Sequence, residues 1–128
     1  MAKIHDVVFD CAHPASLARF WAAALDDHQV APYDDAELAR LRGKGIDDPE
    51  DDPTVVVEAG PGVRPRLFFQ SVPEPKTVKN RVHLDLTCTD LDAEVERLVA
   101  LGASVVARYD GWVTLTDPEG NEFCVQRT

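Results

Sequence analysis

The sequence predicts an α+β fold built from two tandem βαβββ modules. Apolar and polar residues alternate in short segments bounded by glycine, proline and aspartate, a pattern typical of half-buried strands. Two longer segments repeat their apolar residues at helical spacing instead. Each of these helices follows one strand and precedes two or three more, so the same order of elements occurs twice within 128 residues. A chain of this length is usually one compact domain.

The first module is predicted to span about residues 1–73. It opens with a strand at 3–11, in which apolar and polar residues alternate. Pro14 suits the first turn of a helix, and apolar residues at helical spacing extend that helix over 14–25. Three further strands, the first of them weakly indicated, follow at 28–31, 54–59 and 66–72.

An acidic insert, residues 34–53, interrupts the first module. Residues 26–52 hold ten acidic side chains against three basic ones, so most of the net charge of −10 lies there. One helical piece is predicted around 36–41. Because long loops of this composition are either functional lids or disordered, we expect 34–53 to be the most mobile or least regular part of the chain.

The second module is predicted to span about residues 79–128. A strand at 81–88 leads to Asp90, a good N-cap residue, and to an amphipathic helix over 91–101. Gly102 is a natural helix stop. Strands separated by turn residues complete the module, at 103–107, 112–116 and 121–126.

The first strands of the two modules correspond residue by residue. Adding 77 to their numbers matches Asp6 with His83 and Cys11 with Cys88. In each module the apolar side of the strands suits the sheet face covered by the helix. The opposite face then collects polar and aromatic side chains, among them Asp6, Asp10, Phe68, Gln70, His83, Asp85, Trp112, Glu122 and Cys124. Such a mixture is typical of a ligand site, although a solvated sheet face is the simpler interpretation.

The charge and the cysteines exclude several classes of protein. A net charge of −10 argues against a sequence-independent nucleic-acid binder and against docking on anionic lipid. Three widely spaced cysteines form no disulfide framework. We expect a cytoplasmic protein, because the start of the chain lacks the apolar core of a signal peptide and no run is long enough to span a membrane.

Four segments, 10–21, 73–83, 93–103 and 116–123, carry a resemblance to known proteins. They resemble the vicinal oxygen chelate superfamily of glyoxalases, extradiol dioxygenases and bleomycin-resistance proteins. The segment at 73–83 is similar to a glyoxalase-like subgroup of actinobacterial type, largely of unassigned function. The resemblance implies one glyoxalase-like domain over 1–128, an open cup-shaped mixed sheet formed by both modules, and a homodimer.

The same resemblance implies where a metal would lie. In the superfamily four ligands, typically His or Glu, converge in the cup, and by position they fall here on Asp6, Gln70, His83 and Cys124. Gln and Cys replace carboxylates, which removes two charges that would balance a hard cation. His5 is one residue out of register. We therefore expect a degenerate site with Asp6 and His83 as the remaining metal candidates, for Zn, Ni, Mn or Fe, and we favour the absence of a cofactor.

Two functions follow from these residues, and both stay open, with a regulatory or interaction module as a third interpretation. In an enzyme of lyase, isomerase or dioxygenase type, His83 would be the general base, with Asp85 beside it, or a metal ligand, and Asp6 and Glu122 would be its helpers. In a non-catalytic, metal-independent binding protein, similar to bleomycin-resistance proteins, the aromatic side chains would carry the affinity for a small organic molecule. The candidate ligand-binding residues are Phe68, Gln70, Asp85, Trp112 and Cys124. Structural roles are the alternative for each: a hydrogen-bonded histidine, core aromatics and a small buried cysteine.

Overall fold

The structure, a computed structural model, describes all residues, Met1–Thr128. The chain divides into two compact units, Met1–Pro75 (unit one) and Lys76–Thr128 (unit two). Each unit contains a four-stranded mixed sheet and a helix that follows the first strand. The predicted α+β class with two βαβββ-like modules is confirmed. None of the helices is long and apolar enough to cross a membrane.

Unit one forms its sheet in the order β1-β4-β3-β2, with β1 and β4 parallel and the other pairs antiparallel. Helix α1 follows β1 in the chain and belongs to the long connection between the parallel strands β1 and β4, which a tight turn could not join. A short 3₁₀ helix, Pro49–Asp51, precedes β3. The elements are β1 (Asp6–Cys11), α1 (Pro14–Ala24), β2 (Gln29–Val30), α2 (Asp35–Gly43), β3 (Thr54–Glu58) and β4 (Arg66–Ser71).

The core of unit one lies between α1 and one face of its sheet. Trp21 is buried in α1, and its ring lies 5.4 Å from that of Phe9 in an edge-to-face arrangement. Phe69 is fully buried and packs against Phe9, with ring centroids 5.0 Å apart. Val55 and Val57 of β3 are buried as well. This alternation leaves the residues between them on the opposite face, where the cavity described below is found.

The acidic insert is more regular than the sequence predicted. The helical piece expected at 36–41 is confirmed within α2, whose Asp34 accepts a hydrogen bond from the Glu37 amide. Leu41 is only 1% exposed and anchors the helix in the unit. The expectation that 34–53 is the least regular part of the chain is wrong, because 72–83 contains no helix or strand at all. That 34–53 is the most mobile part stays a prediction.

Unit two repeats the plan, in the order β5-β8-β7-β6 with β5 and β8 parallel. Asp90 caps α3 by accepting from the Ala93 amide, and the helix ends at Gly102, whose φ of +125° favours glycine. Both were predicted. The elements are β5 (Leu84–Cys88), α3 (Leu91–Leu101), β6 (Ser104–Tyr109), β7 (Trp112–Thr116) and β8 (Glu122–Arg127).

The predicted strand ends differ from the observed ones where a partner is missing or a bulge occurs. The strands expected at 3–11 and 81–88 begin only at Asp6 and Leu84. Asp6 is opposite Arg66, the first residue of its parallel partner β4, and the parallel pairing of β5 with β8 begins at Leu84 and Phe123. Strand β6 extends to Tyr109 past a register shift between Val105 and Ala107. The core of unit two matches the expected face, with Leu98 of α3 and the sheet residues Val113, Leu115, Phe123 and Val125 all buried.

Candidate functional site

An ion pair dominates the polar face of unit one at the start of β1. Asp6 lies opposite Arg66 in the parallel ladder. Arg66 donates from Nε to Oδ1 at 2.8 Å and from Nη2 to Oδ2 at 2.9 Å. The exposed His5 side chain also contacts Oδ2 through Nδ1, at 3.0 Å. These bonds lower the pKa of Asp6 from its ordinary 3.8 to about 2. The hydrogen bonds from Arg66 make the largest contribution, and they outweigh burial, which would raise the pKa.

Gln70 lies at the other end of the same ladder. It is opposite Asp10, and its Nε2 donates to Asp10 Oδ1 at 2.7 Å. Four strand positions separate Gln70 from Arg66, which amounts to about 13 Å at 3.3 Å per residue. The implied convergence of Asp6 and Gln70 is therefore wrong, since the register brings Arg66 to Asp6 instead.

A cavity of about 320 Å³ opens on the same face of unit one. Phe68 of β4 and Val56 of β3, which are opposite each other in the ladder, provide apolar surface. The acidic insert and the loop before it supply most of the polar wall. The full lining is Ala31, Pro32, Tyr33, Glu37, Arg40, Asp52, Thr54, Val55, Val56, Glu58, Arg66 and Phe68. Of these residues, the sequence pattern indicated Phe68 alone as a binding candidate.

The polar groups of this cavity are largely held in place by one another. Tyr33 donates to Asp52 Oδ2 at 2.8 Å, and Asp52 Oδ1 accepts the Thr54 amide at 3.0 Å. Burial, followed by the bond to Asp52, raises the pKa of Tyr33 well above its usual range. Tyr33 is therefore a neutral donor at any physiological pH. Glu37 and Arg40 form an ion pair on α2.

Three candidate residues converge on the polar face of unit two. Asp85 is opposite Cys124 in the β5–β8 ladder, and His83 Nε2 lies 3.3 Å from Asp85 Oδ1. One ligand atom from each of His83, Asp85 and Cys124 lies within 4.8 Å of the other two. Thr114 Oγ1 lies 3.5 Å from Cys124 Sγ. The predicted neighbourhood of His83 and Asp85 is present, and Cys124 is half-buried beside them.

Glu122 is held by two groups that the sequence pattern did not indicate. Lys76 Nζ donates to its Oε1 at 2.9 Å, and the Asn80 amide donates to Oε2 at 3.0 Å. Burial would raise the pKa of Glu122, but these hydrogen bonds outweigh it and hold the pKa at about 2. A carboxylate with so low a pKa is a weak base near neutral pH. Its catalytic role remains a prediction.

Trp112 is exposed to 38% and lies outside the core. Its ring stacks on Tyr109 with the centroids 3.9 Å apart and the planes at 13°. The two residues are opposite each other in the β6–β7 ladder. One face of the indole is therefore covered by a neighbour within unit two.

A family model described as a glyoxalase-like domain matches residues 6–126. The chain belongs to the glyoxalase-like domain family. This family and the structural similarities below place it in the vicinal oxygen chelate superfamily. A comparison with curated proteins gave no match.

Several solved structures share the fold of this glyoxalase-like domain at low sequence identity. A glyoxalase/bleomycin resistance protein/dioxygenase family enzyme from Burkholderia phytofirmans is 16% identical, with a TM-score of 0.65 and 98% of each chain covered. The trypanothione-dependent glyoxalase I of Leishmania major is 12% identical, with a TM-score of 0.62, and the match covers 99% of this chain and 87% of that one. The fosfomycin resistance protein FosX of Mesorhizobium loti is 12% identical, with a TM-score of 0.61 and coverage of 98% and 90%.

The metal that the superfamily implies does not fit unit one of this glyoxalase-like domain. Both oxygens of Asp6 accept hydrogen bonds from the Arg66 guanidinium, which already neutralises the carboxylate. The residue opposite Asp6 is thus a cation that offers no lone pair to a metal. A metal at Asp6 would have to displace this guanidinium while bearing the same sign of charge.

Proposed function

We propose that this glyoxalase-like domain binds a small organic molecule in the cavity of unit one, without a metal at the superfamily positions. The cavity of about 320 Å³, with Phe68 on its surface and hydrogen-bonding groups around it, carries this proposal. Its volume lies at the lower end of the range of about 300–1,000 Å³ typical of small-molecule sites. The Asp6–Arg66 pair supports the metal-independent mode, because it satisfies the one carboxylate of unit one that the superfamily pattern would assign to a metal.

The charges of the cavity favour a ligand with a hydrogen-bond-donating or cationic group. Arg66 is paired with Asp6, Arg40 with Glu37, and Asp52 accepts from Tyr33. Glu58 of β3 also lies on the lining, and its charge acts only at longer range on the Arg66 guanidinium, which is already bonded to Asp6. A carboxylate placed at a partly apolar cavity attracts a donor, while an apolar or aromatic body would contact Phe68 and Val56.

An enzyme of lyase, isomerase or dioxygenase type is the second candidate. The observation that favours it is the 3.3 Å separation of His83 Nε2 and Asp85 Oδ1 in unit two. A carboxylate beside an imidazole orients the ring and supports a general base. The side chains of His83 and Asp85 are 40% and 58% exposed, so a substrate could reach them.

The binding proposal is tested by ligand-observed NMR with a library of small amines, carboxylic acids and neutral aromatics in a buffer containing a chelator. Hits are then titrated calorimetrically into the wild type and three variants, Phe68→Ala, Glu58→Gln and Trp112→Ala. We expect amines to predominate and to bind more weakly to Phe68→Ala and Glu58→Gln, with Trp112→Ala as the matched aromatic control. Loss of binding in Trp112→Ala alone would assign the site to unit two and contradict the proposal. Hits that bind only after a metal is added would contradict it as well.

We also propose a cytoplasmic homodimer, an expectation that rests on the family resemblance and on the cysteine pattern. Exposed apolar side chains support a contact with a second copy, among them Val8, Val105, Val106 and Tyr109. Sedimentation equilibrium measures the mass in solution, and a mass close to that of one 14.1 kDa chain at high concentration would contradict the dimer.

A further inference from the structure

We propose that His83, Asp85 and Cys124 form a binding site for a thiophilic divalent cation, with Zn²⁺ as the best match. All three residues belong to unit two and none of them lines the cavity of unit one, so the proposal does not depend on the function proposed for that cavity. One nitrogen, one carboxylate oxygen and one sulfur lie within 4.8 Å of one another. Three donors around one tetrahedral Zn²⁺ at about 2.0–2.3 Å each would lie about 3.3–3.8 Å from one another, so small side-chain movements of about 1 Å would bring these donors onto one ion.

The geometry distinguishes a metal site from a nucleophilic triad. In a Cys–His–Asp triad the imidazole stands between the other two groups and uses a different nitrogen for each. The carboxylate and the sulfur are then farther from each other than either is from the ring. Here the Asp85 oxygen and the Cys124 sulfur are also close to each other. All three pairs of donor atoms are therefore close, as metal ligands are, whereas a triad needs only two of the three pairs to be close.

The chemistry of the donors selects the cation. Thiolate is a soft ligand that favours Zn²⁺ and disfavours Mg²⁺, Ca²⁺ and Mn²⁺. Imidazole and carboxylate complete a set of the kind that Zn²⁺ accepts. The exposed side chains of His83 and Asp85 leave the fourth position open to water or to an oxygen of a ligand. Three protein ligands with one open position are typical of catalytic rather than structural zinc.

The arrangement of the β5–β8 ladder places these ligands without any contribution from Glu122. Asp85 and Cys124 are directly opposite each other in the β5–β8 ladder. His83 immediately precedes β5, two residues before Asp85. Glu122, one pair further along the same face, is already bound to Lys76 and to the Asn80 amide. Of the four positions that the superfamily pattern implies, this site uses only His83 and Cys124. Its third ligand is Asp85, in place of Asp6 and Gln70 of unit one.

Cobalt binding to the tag-free, chelator-stripped protein tests the site. Co²⁺ takes the place of Zn²⁺ in tetrahedral sites and gives a near-ultraviolet charge-transfer band when a thiolate binds it. We expect this band in the wild type, its displacement by Zn²⁺, and its loss in Cys124→Ser. The matched control Cys88→Ser, another half-buried cysteine of unit two, should keep the band. Asp85→Asn and His83→Gln should each weaken Zn²⁺ binding by more than about tenfold. A band that persists in Cys124→Ser, or no band in the wild type, would overturn the proposal.

Alkylation of the wild-type protein gives a second readout that needs no variant. Iodoacetamide labelling followed by mass spectrometry reports the modification rate of each cysteine with and without Zn²⁺. We expect Zn²⁺ to slow labelling of Cys124 at least about tenfold and to leave Cys88 unchanged, since a metal-bound thiolate is shielded. Equal rates for Cys124 in the two conditions would contradict the site even if every variant failed to fold.

Discussion

Asp6 and Arg66 face each other across the parallel β1–β4 ladder and are joined by two hydrogen bonds of 2.8 and 2.9 Å. In unit two, continuing the β5–β8 register by one residue before Leu84 places His83 opposite Glu122, as Asp6 is opposite Arg66 in unit one. In unit two, Lys76 binds that glutamate. In each unit, therefore, a carboxylate of the polar face is paired with a basic side chain of the protein itself. In unit one this pairing explains why a metal has no ready site at Asp6.

The Asp6–Arg66 pair predicts how stability responds to acid. The folded state lowers the pKa of Asp6 from 3.8 to about 2, so the pair stabilises the fold above pH 3.8 and loses its contribution as the pH falls towards 2. Asp6→Asn should cost about 1 kcal/mol at pH 7 and little at pH 2. Urea unfolding at both pH values measures the difference. Asp10→Asn, on the same strand, is the control, and an equal cost of Asp6→Asn at both pH values would contradict this account.

Leu41 predicts that the acidic insert contributes to stability. The side chain is 1% exposed and is the one buried residue of α2, and truncation of a buried leucine usually costs about 2–5 kcal/mol. Leu41→Ala should lower the free energy of unfolding by that amount. Leu38→Ala, at a half-buried position of the same helix, should cost less. If both variants unfolded at the wild-type denaturant concentration, the insert would be loosely attached after all.

Tyr33 predicts a stability effect through the buried carboxylate of Asp52. Asp52 is 3% exposed, and the Tyr33 hydroxyl satisfies one of its oxygens. Tyr33→Phe removes the donor and should destabilise the protein by about 1–3 kcal/mol, the usual cost of an unpaired buried polar group. Thermal unfolding checks this, with Tyr109→Phe as the exposed control. A stability unchanged in Tyr33→Phe would show that water replaces the hydroxyl.

Asp117 predicts that the turn between β7 and β8 depends on one buried carboxylate. Its Oδ1 accepts the amides of Glu119 and Asn121 at 2.9 and 3.0 Å, and the residue is 3% exposed. Asp117→Ala leaves those donors unpaired and should cost about 1–3 kcal/mol in chemical unfolding. Asp110→Ala, in the exposed turn between β6 and β7, should have little effect. Comparable losses in the two variants would argue against a special role for Asp117.

The sequence predicted most of the fold because its local signals agree with the tertiary structure. Asp90 and Gly102 delimit α3 where the capping pattern placed them, and the alternation in β7 and β8 put the right residues in the core. The regularity of the acidic insert was not predicted, because a long, highly charged segment is typical of disordered regions. The burial of a single apolar residue, Leu41, instead packs the insert against the unit.

The candidate site was harder to predict because it depends on strand register. The family resemblance implied that Gln70 converges with Asp6, while the parallel pairing of β1 and β4 places Arg66 opposite Asp6. No local pattern specifies such a register between strands so distant in sequence. The cavity was missed for the same reason, since Tyr33 and Phe68 meet only through the fold. His83 and Asp85, two residues apart, were within reach of sequence reasoning.

Amide chemical shifts test the central claim, that a small molecule binds in unit one without a metal, most directly. The hit from the library is titrated into ¹⁵N-labelled protein in the presence of a chelator. We predict saturable shifts at residues of the cavity, above all Tyr33, Val56, Glu58 and Phe68, with the Asp6–Arg66 pair intact. Shifts confined to His83, Trp112 and their neighbours, or shifts that occur only after a divalent metal is added, would contradict it.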